Sequence, residues 1–304
     1  MASQRVSQPP CIPTMLSIMD QIITGYRQYY ATQYVHLSSV TFLLCDYVAT
    51  LPDEIELFWT GKWSFARVLF LVNRYQALAW QLVHTIGVLM PSRSDRLCVI
   101  LNLFIEGCQL IKVVSGTKSC QIWIHDIMTF SLLALVIDVQ LILSIRVYGL
   151  YGRANWIAGL LAVLFLAATA GELYIVIKLS LNAVSVPLPF SNITICESTL
   201  DVVFRLYLGL IPAIAFDTLN LLLVLLRGIM YLRSQKKIGF RGSNFVRLLM
   251  RDSVLYFLII LVVYIALAGA WIELPGVETF ITFGYGFSII SVTASHMLIN
   301  LKKH

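Results

Sequence analysis

The sequence predicts an all-α, polytopic membrane protein with seven transmembrane helices, its N-terminus outside and its C-terminus cytosolic. Of the 304 residues, 59% are hydrophobic and 12% are charged, whereas a soluble globular domain carries about 25% charged residues. A surface that faces water needs more charged residues than this chain has. Most of its surface must therefore face lipid. Apolar runs of membrane-spanning length give the number of helices, and the distribution of basic residues between those runs gives the orientation.

Seven segments are long and apolar enough to cross about 30 Å of hydrocarbon, which takes about 20 residues of α-helix. They are predicted as helices because backbone groups in lipid must be satisfied within the segment, and the alternating pattern of a membrane β-barrel is absent. The spans are predicted at residues 33–51, 65–90, 121–147, 154–180, 203–227, 253–272 and 278–299. They divide the chain into an extracellular segment (1–32), a transmembrane bundle (33–299) and a short cytosolic tail (300–304).

Basic residues set the orientation, because lysine and arginine accumulate on the cytosolic side. The connection between the fifth and sixth spans is basic, whereas the next connection holds Glu273 and Glu278 and no base. We expect this cytosolic basic loop either to bind anionic lipid or a cytosolic protein, or only to fix the topology. Its basic residues are Arg227, Arg233, Lys236, Lys237, Arg241, Arg247 and Arg251. Because the basic residues lie between apolar runs, no nucleic-acid partner is predicted.

A glycosylation sequon agrees with this orientation. Asn192, Ile193 and Thr194 form the motif N-x-S/T in the loop between the fourth and fifth spans. Glycans are added only on the lumenal side, and the predicted topology places this loop outside. Two independent signals therefore favour one orientation, with the protein in the plasma membrane or the secretory pathway.

Residues 97–115 are apolar but contain Glu106, Gly107 and Lys112. As an eighth span, this segment would invert everything after it and place the basic loop outside. We therefore predict an interfacial or re-entrant segment within a long outer loop.

Several sequence blocks resemble an uncharacterised family of seven-helix membrane proteins from mushroom-forming fungi, which share an N-terminal domain of unknown function. The resemblance implies a receptor-like integral membrane protein and no assigned activity. The stretch 92–119 is longer than the family pattern allows. The blocks are LLCDYVATLPDEIELFW (43–59), LFLVNRY (69–75), IRVYGLYGR (145–153), FDTLNLLLVLLRG (216–228), LLMRDSVLYF (248–257) and SHMLINLKK (295–303).

Four charged residues fall at similar depths within predicted spans, where a charge is costly and indicates a function or a close partner. Arg74 lies in the second span, and Asp46, Asp138 and Asp217 lie in the first, third and fifth. Together they predict an intramembrane polar layer. It is either a site that changes partner between two states, as in a switch or a proton or ion pathway, or a static ion pair with the remaining acids neutral.

Other candidate sites lie nearer the outer face. Asp126 and Glu172 form a predicted outer rim, which either faces a ligand or is only partly hydrated. Cys120 and Cys196 are predicted to form a disulfide, because the outer compartment is oxidising. Cys98 and Cys108 are alternative partners, and four cysteines allow three complete pairings.

Known catalytic and cofactor-binding signatures are absent from the sequence. It has no Walker loop, no GxSxG, no dinucleotide fingerprint and no HExxH. The seventh span has no lysine between Glu278 and Leu301 to form a retinal Schiff base. No enzyme activity, cofactor or metal is therefore predicted. The favoured function is a receptor-like sensor, and the alternative is a transporter of small solutes, protons or ions that uses the Arg/Asp layer.

Overall fold

The computed structural model describes residues 15–60, 63–89, 129–182, 185–190, 193–198, 200–238, 244–273 and 278–303. These residues form seven α-helices and one short hairpin. A π-helical turn, Ile55–Trp59, extends the first helix. The helices are α1 (Met15–Glu54), α2 (Phe65–Leu89), α3 (Thr129–Leu150), α4 (Asn155–Asn182), α5 (Leu200–Ile238), α6 (Asn244–Glu273) and α7 (Glu278–Lys303).

The hairpin lies between α4 and α5, where only a loop was predicted. Strand β1 (Ser185–Phe190) pairs antiparallel with β2 (Ile193–Ser198). Cys196 lies opposite Pro187 in this register. The other predicted residues of this outer region, Cys120, Asp126 and Asn192, lie outside the described residues, as does the segment 97–115.

Six of the described helices are long and apolar enough to cross a membrane. This confirms the prediction of a helical, multi-pass membrane protein. The exception is α2, because polar residues such as Asn73, Arg74, Gln81 and His84 recur along it. The six candidate spans are Tyr30–Trp59, Thr129–Leu150, Asn155–Lys178, Tyr207–Tyr231, Ser253–Glu273 and Thr282–Lys303.

The bundle has apolar side chains on its surface and polar ones inside. On α4, Val163 and Leu166 are 67% and 65% exposed. In contrast, Asn73 and Arg74 on α2 are 0% and 1% exposed. A protein surrounded by water would expose the second pair and bury the first. This polarity is the one expected for a bundle whose outer face contacts lipid.

Contacts at the two ends of the bundle show how the helices run: α1 and α7 run parallel, whereas α6 runs antiparallel to both α3 and α7. At one end, here called the tail end, the end of α7 meets the end of α1, with Lys303 Nζ 2.7 Å from Asp53 Oδ2. At the same end Arg146, near the end of α3, donates to Ser253, near the start of the α6 span (Nε to Oγ 2.9 Å). At the opposite end, here called the hairpin end, Trp271 Nε1 donates to Thr282 Oγ1 across the α6–α7 connection (3.1 Å).

The α3–α4 connection at the tail end is tight. Gly152 and Arg153 adopt left-handed backbone angles, with φ of 68° and 61°, which is how helices commonly terminate. Partial burial raises the pKa of Tyr151, although the nearby Arg227 opposes this shift. The hydroxyl therefore stays protonated and donates to the carbonyl of Leu223 in α5 (3.0 Å). The connection is thereby fixed to α5.

Two helices approach closely at Gly286 in α7. A Cβ built there would lie 2.7 Å from Cδ2 of Leu267 in α6. Small residues at such positions let membrane helices pack by van der Waals contact, which is the main apolar force available within lipid.

The predicted cytosolic basic loop is largely helical, and this corrects the sequence prediction. Because a helix satisfies its own backbone groups, it can continue beyond the hydrocarbon, and leucine, lysine and arginine favour it. Only residues 239–243 of this region, including Arg241, fall outside the described part of the chain. The end of α5 carries Arg227, Arg233, Lys236 and Lys237, and the start of α6 carries Arg247 and Arg251.

Candidate functional site

The first buried polar cluster surrounds Arg74 and is here called the arginine cluster (Tyr47, Thr50, Glu54, Arg74 and Tyr75). The Nε of Arg74 lies 2.7 Å from Oε2 of Glu54, with both side chains at most 1% exposed. The contact is an ion pair rather than a well-aligned hydrogen bond. The guanidinium also donates to Thr50 Oγ1 and to the carbonyl of Tyr47, both at 2.8 Å. It lies over the Tyr47 ring, 4.1 Å from the centroid.

The second carboxylate oxygen of Glu54 is also satisfied. It accepts hydrogen bonds from Tyr75 Oη (2.8 Å) and Trp59 Nε1 (3.0 Å). Trp59 reaches it because the π-helical turn Ile55–Trp59 follows Glu54 directly. Tyr47 in turn donates its hydroxyl to the carbonyl of Arg74. Glu54 and Arg74 thus have protein partners on several sides, which is the arrangement a buried ion pair requires.

The predicted polar layer is not assembled as one site. Arg74 pairs with Glu54, whereas Asp46 Oδ1 lies 2.7 Å from Nε2 of His296 in α7. Asp138 is buried, and its Oδ2 has no hydrogen-bond partner among the described residues. Asp217 belongs to a second cluster, described below. The sequence analysis missed Glu54 because the first span was ended at residue 51, whereas α1 continues beyond Pro52.

A line of polar contacts joins α2 to its neighbours. Asn73 Nδ2 donates to the carbonyl of Ser291 (3.1 Å) and to Ser295 Oγ (2.9 Å), both on α7. Gln81 Nε2 donates to Ser39 Oγ on α1 (2.6 Å). His84 Nε2 lies 3.1 Å from Ser131 Oγ near the start of α3. The polar residues that lower the hydropathy of α2 therefore face other helices.

The second buried polar cluster lies among α3, α4, α5 and α6 and is here called the acid cluster (Gln140, Glu172, Asp217, Asn220 and Tyr264). Gln140 Nε2 donates to Glu172 Oε1 (2.6 Å). The carboxyls of Glu172 and Asp217 lie close enough for their charges to interact with each other. Both also lie close enough to interact electrostatically with the Tyr264 hydroxyl. All five side chains are at most 2% exposed. Two acids that the sequence assigns to separate sites, the polar layer and the outer rim, thus lie together.

Glu172 is not a hydrated rim residue, as one interpretation of the sequence had it. Its exposure of 1% and its contact with Gln140 place it inside the bundle. Depth along a single helix does not reveal this. A comparison of depths on the two neighbouring helices does not reveal it either, because counting from the α3–α4 connection at 1.5 Å per residue puts Glu172 about 10 Å farther in than Gln140. The one signal in the sequence is the spacing of three residues between Asp217 and Asn220, which puts both on one helix face.

The acid cluster has no basic partner and few hydrogen bonds. Neither carboxyl contacts a lysine or arginine within the described part of the chain. Its atoms without a hydrogen-bond partner there are Glu172 Oε2, both carboxylate oxygens of Asp217, both amide atoms of Asn220, Gln140 Oε1 and the Tyr264 hydroxyl. The two clusters therefore differ in kind: the protein itself satisfies the arginine cluster but not the acid cluster.

Comparison with known proteins identifies one segment. No curated protein matches the chain. Residues 34–79 match a family of unknown function, DUF6533. This segment runs from α1 into α2 and contains both Glu54 and Arg74, so the buried ion pair lies within it, whereas the acid cluster lies outside it. Over residues 34–79 the chain is therefore similar to a family whose function is unknown, in agreement with the predicted N-terminal domain of unknown function.

Proposed function

We propose that the protein is a receptor-like sensor that crosses the membrane seven times, with its N-terminus outside and its C-terminus in the cytosol. The observation that carries the proposal is an uneven distribution of polar contacts. Ion pairs and several hydrogen bonds join α1, α2 and α7. In contrast, the buried acids among α3–α6 have almost no protein partners within the described residues. Helices α1, α2 and α7 therefore form the fixed half of the bundle, and helices α3–α6 form the half that can adopt two conformations.

The position of α2 supports a seventh crossing. Arg67 near its start donates to the carbonyl of Thr60 at the tail end. His84 near its end contacts Ser131 in the first turn of α3, at the hairpin end. The 25 residues of α2 are about 37 Å long at 1.5 Å per residue, enough for the hydrocarbon layer. Its polar side chains face protein rather than lipid, which is how membrane helices accommodate such residues.

Charges and aromatic residues support the orientation. The basic extensions of α5 and α6 and the residues Lys302 and Lys303 lie at the tail end, as the positive-inside rule expects for the cytosolic side. Trp59, Trp63 and Trp156 are 62%, 74% and 65% exposed at this same end. Exposed indole rings prefer the membrane–water interface. The basic tail end would meet either an anionic leaflet or a cytosolic protein.

The orientation predicts a glycan on Asn192. Glycosidase treatment of the protein from its native membrane is expected to increase its gel mobility, and Asn192→Gln is expected to run at the deglycosylated position without treatment. The reason is that N-glycans are added only on the lumenal side. A protease added to intact cells that cleaves within the basic region 227–251 would contradict the orientation.

A two-state bundle predicts a distance that changes at the tail end. Spin labels at Val68 on α2 and Leu255 on α6, both exposed, are expected to give two populated distances. Ser253→Ala removes the acceptor of the Arg146 hydrogen bond and should shift the balance between these distances. A label pair at Val48 and Val68 within the fixed half is the control and should keep one distance.

The same labels separate a sensor from the alternative, a transporter. A label pair at Leu82 on α2 and Ile272 on α6 reports on the hairpin end, where both residues are exposed. A transporter that alternates access would change the two ends reciprocally, whereas a sensor keeps the hairpin-end distance when the tail end moves. One unchanged distance at both ends would contradict both functions. Our proposal is a binding and signalling protein rather than an enzyme.

A further inference from the structure

The α3–α4 connection and the neighbouring part of α5 form a positively charged surface at the tail end. Arg153 and Arg227 are both exposed there. The two stretches of sequence that supply this surface, 139–171 and 218–251, contain no Asp or Glu. Within the described part of the chain, neither arginine contacts a carboxylate. The surface therefore favours an anion that comes from outside the chain.

Contacts with the α3–α4 turn hold Arg227 in place. Its Nε donates to the carbonyl of Leu150 (3.3 Å), and its guanidinium lies over the Tyr151 ring, 5.4 Å from the centroid. A guanidinium has several N–H donors, and the Leu150 carbonyl uses only one of them. Arg153 belongs to the same turn, because its backbone N–H donates to the carbonyl of Tyr148 (3.1 Å). Both cations thus border one turn, and the surface is here called the turn site (Tyr151, Arg153, Trp156 and Arg227).

The depth of Arg227 places the turn site at the level of lipid headgroups. Arg227 lies within the candidate span Tyr207–Tyr231, four residues before its end, which is about 6 Å along the helix. Leu226 and Met230 close to it are exposed apolar side chains, so α5 still faces lipid at this level. A long basic side chain near the end of a membrane helix extends its charge toward the headgroups.

An exposed indole marks the same level on α4. Trp156 lies in the first turn of α4, and its side chain is largely exposed. Its ring stands nearly perpendicular to the Tyr151 ring, with the centroids 6.2 Å apart. Indole rings in membrane proteins prefer the boundary between hydrocarbon and headgroups. Because Tyr151 contacts both Arg227 and Trp156, it places a cation and an interfacial ring side by side.

This position fits a lipid better than a cytosolic protein. A soluble protein meets charges that project into water, whereas Arg227 and Trp156 lie at the margin of the hydrocarbon. The turn site has no carboxylate to hold the choline of a zwitterionic headgroup. From the charge, the depth and the exposed donors, we infer that the turn site binds the phosphate of an anionic phospholipid in the leaflet at the tail end. The inference rests on the part of the proposed function that places the tail end at a membrane surface, and it needs no change between two states.

Thermal unfolding of the full chain, purified in detergent, tests the inference. Phosphatidylglycerol is titrated into the micelles, and phosphatidylcholine with the same acyl chains is the reference lipid. The unfolding midpoint is expected to rise and saturate with phosphatidylglycerol, because a ligand that binds the folded state stabilises it. The double variant Arg153→Asn, Arg227→Gln is expected to raise the lipid concentration at half effect by roughly thirty-fold, about fivefold for each arginine. Asparagine is chosen because residue 153 has a φ of 61°, which asparagine tolerates well.

Arg27→Gln is the matched control. Arg27 is an exposed arginine on α1 and precedes the candidate span that begins at Tyr30, so it should keep the wild-type response. If Arg227→Gln does not fold without its contact with Tyr151, Arg153→Asn alone must still weaken the response about fivefold. The side chain of Arg153 makes no hydrogen bond or ion pair within the described residues, so this variant loses charge alone.

Four outcomes would overturn the inference. The first is an equal response to the two lipids, and the second is a response to phosphatidylglycerol that the double variant retains in full. The third is an equal response to inorganic phosphate, which would make the turn site one for free anions. The fourth is a response to polyglutamate without one to lipid, which would indicate an acidic protein as the partner. Micelles give lipid access to both ends of the bundle, so these outcomes are independent of the orientation and of the label distances that test the sensor.

Discussion

Replacing Arg74 with methionine is expected to lower the free energy of unfolding by about 3–5 kcal/mol, because Glu54 would stay buried without its cation. The substitution also removes the hydrogen bonds to Thr50 and to the carbonyl of Tyr47. Neither Tyr75 nor Trp59 supplies a positive charge in place of the guanidinium. The loss is measured as a shift of the unfolding transition in mixed detergent micelles. Arg233→Met, at an exposed arginine of α5, is the control and should change little.

The double variant Arg74→Met, Glu54→Gln should recover much of this loss. Removing both charges abolishes the uncompensated carboxylate, and replacing a whole buried ion pair is often nearly neutral. The coupling between the two sites is obtained from the double-mutant cycle. If the losses of stability from the two single substitutions simply added up in the double variant, a direct ion pair between Arg74 and Glu54 would be contradicted. The partner of Arg74 would then be sought among the aspartates of the predicted polar layer.

The arginine cluster shows how far the sequence leads and where it stops. A charged Arg74 within a span predicts a buried partner in the bundle, and the structure provides one. The identity of that partner was not predictable, because Pro52 is a strong signal for the end of a helix. In the structure α1 continues past Pro52, and the π-helical turn brings Trp59 back to Glu54.

The acid cluster was missed for a different reason. The sequence analysis assigned Asp217 to a polar layer and Glu172 to an outer rim. Their proximity depends on how α4 and α5 are rotated and on which helices are neighbours. Contacts such as that of Phe165 with Phe216, with ring centroids 6.1 Å apart, set this rotation. Aromatic packing of this kind has no periodic signature in a segment that is apolar all round.

The helices themselves were more predictable than their contacts. Length and hydropathy locate the apolar spans, since lipid selects for both. Polar α2 was also predicted as a span, because its apolar residues still dominate over a membrane's width. Helix ends beyond the hydrocarbon were not predicted. The extension of α5 to Ile238 depends on helix propensity and on charges in water, not on the bilayer.

Replacing Asn73 with leucine is expected to lower the free energy of unfolding by about 2 kcal/mol. The side chain of Asn73 donates to both the Ser291 carbonyl and the Ser295 hydroxyl, and all three residues are fully buried. Leucine keeps the approximate volume but leaves Ser295 without this donor. In lipid the apolar faces of α2 and α7 gain little from leaving water, so such hydrogen bonds carry a larger share of the specificity of the contact.

Gln76, one turn along the same helix, provides the matched comparison for Asn73. Its Nε2 is buried but has no hydrogen-bond partner within the described residues. Gln76→Leu therefore removes a buried amide nitrogen that has no partner there, and should leave the stability unchanged or raise it. Unfolding in mixed micelles, measured for both variants, separates the effect of losing a hydrogen bond from the effect of losing a polar side chain. If both substitutions lowered the stability equally, the polar face of α2 would act through helix insertion rather than through its contacts with α7.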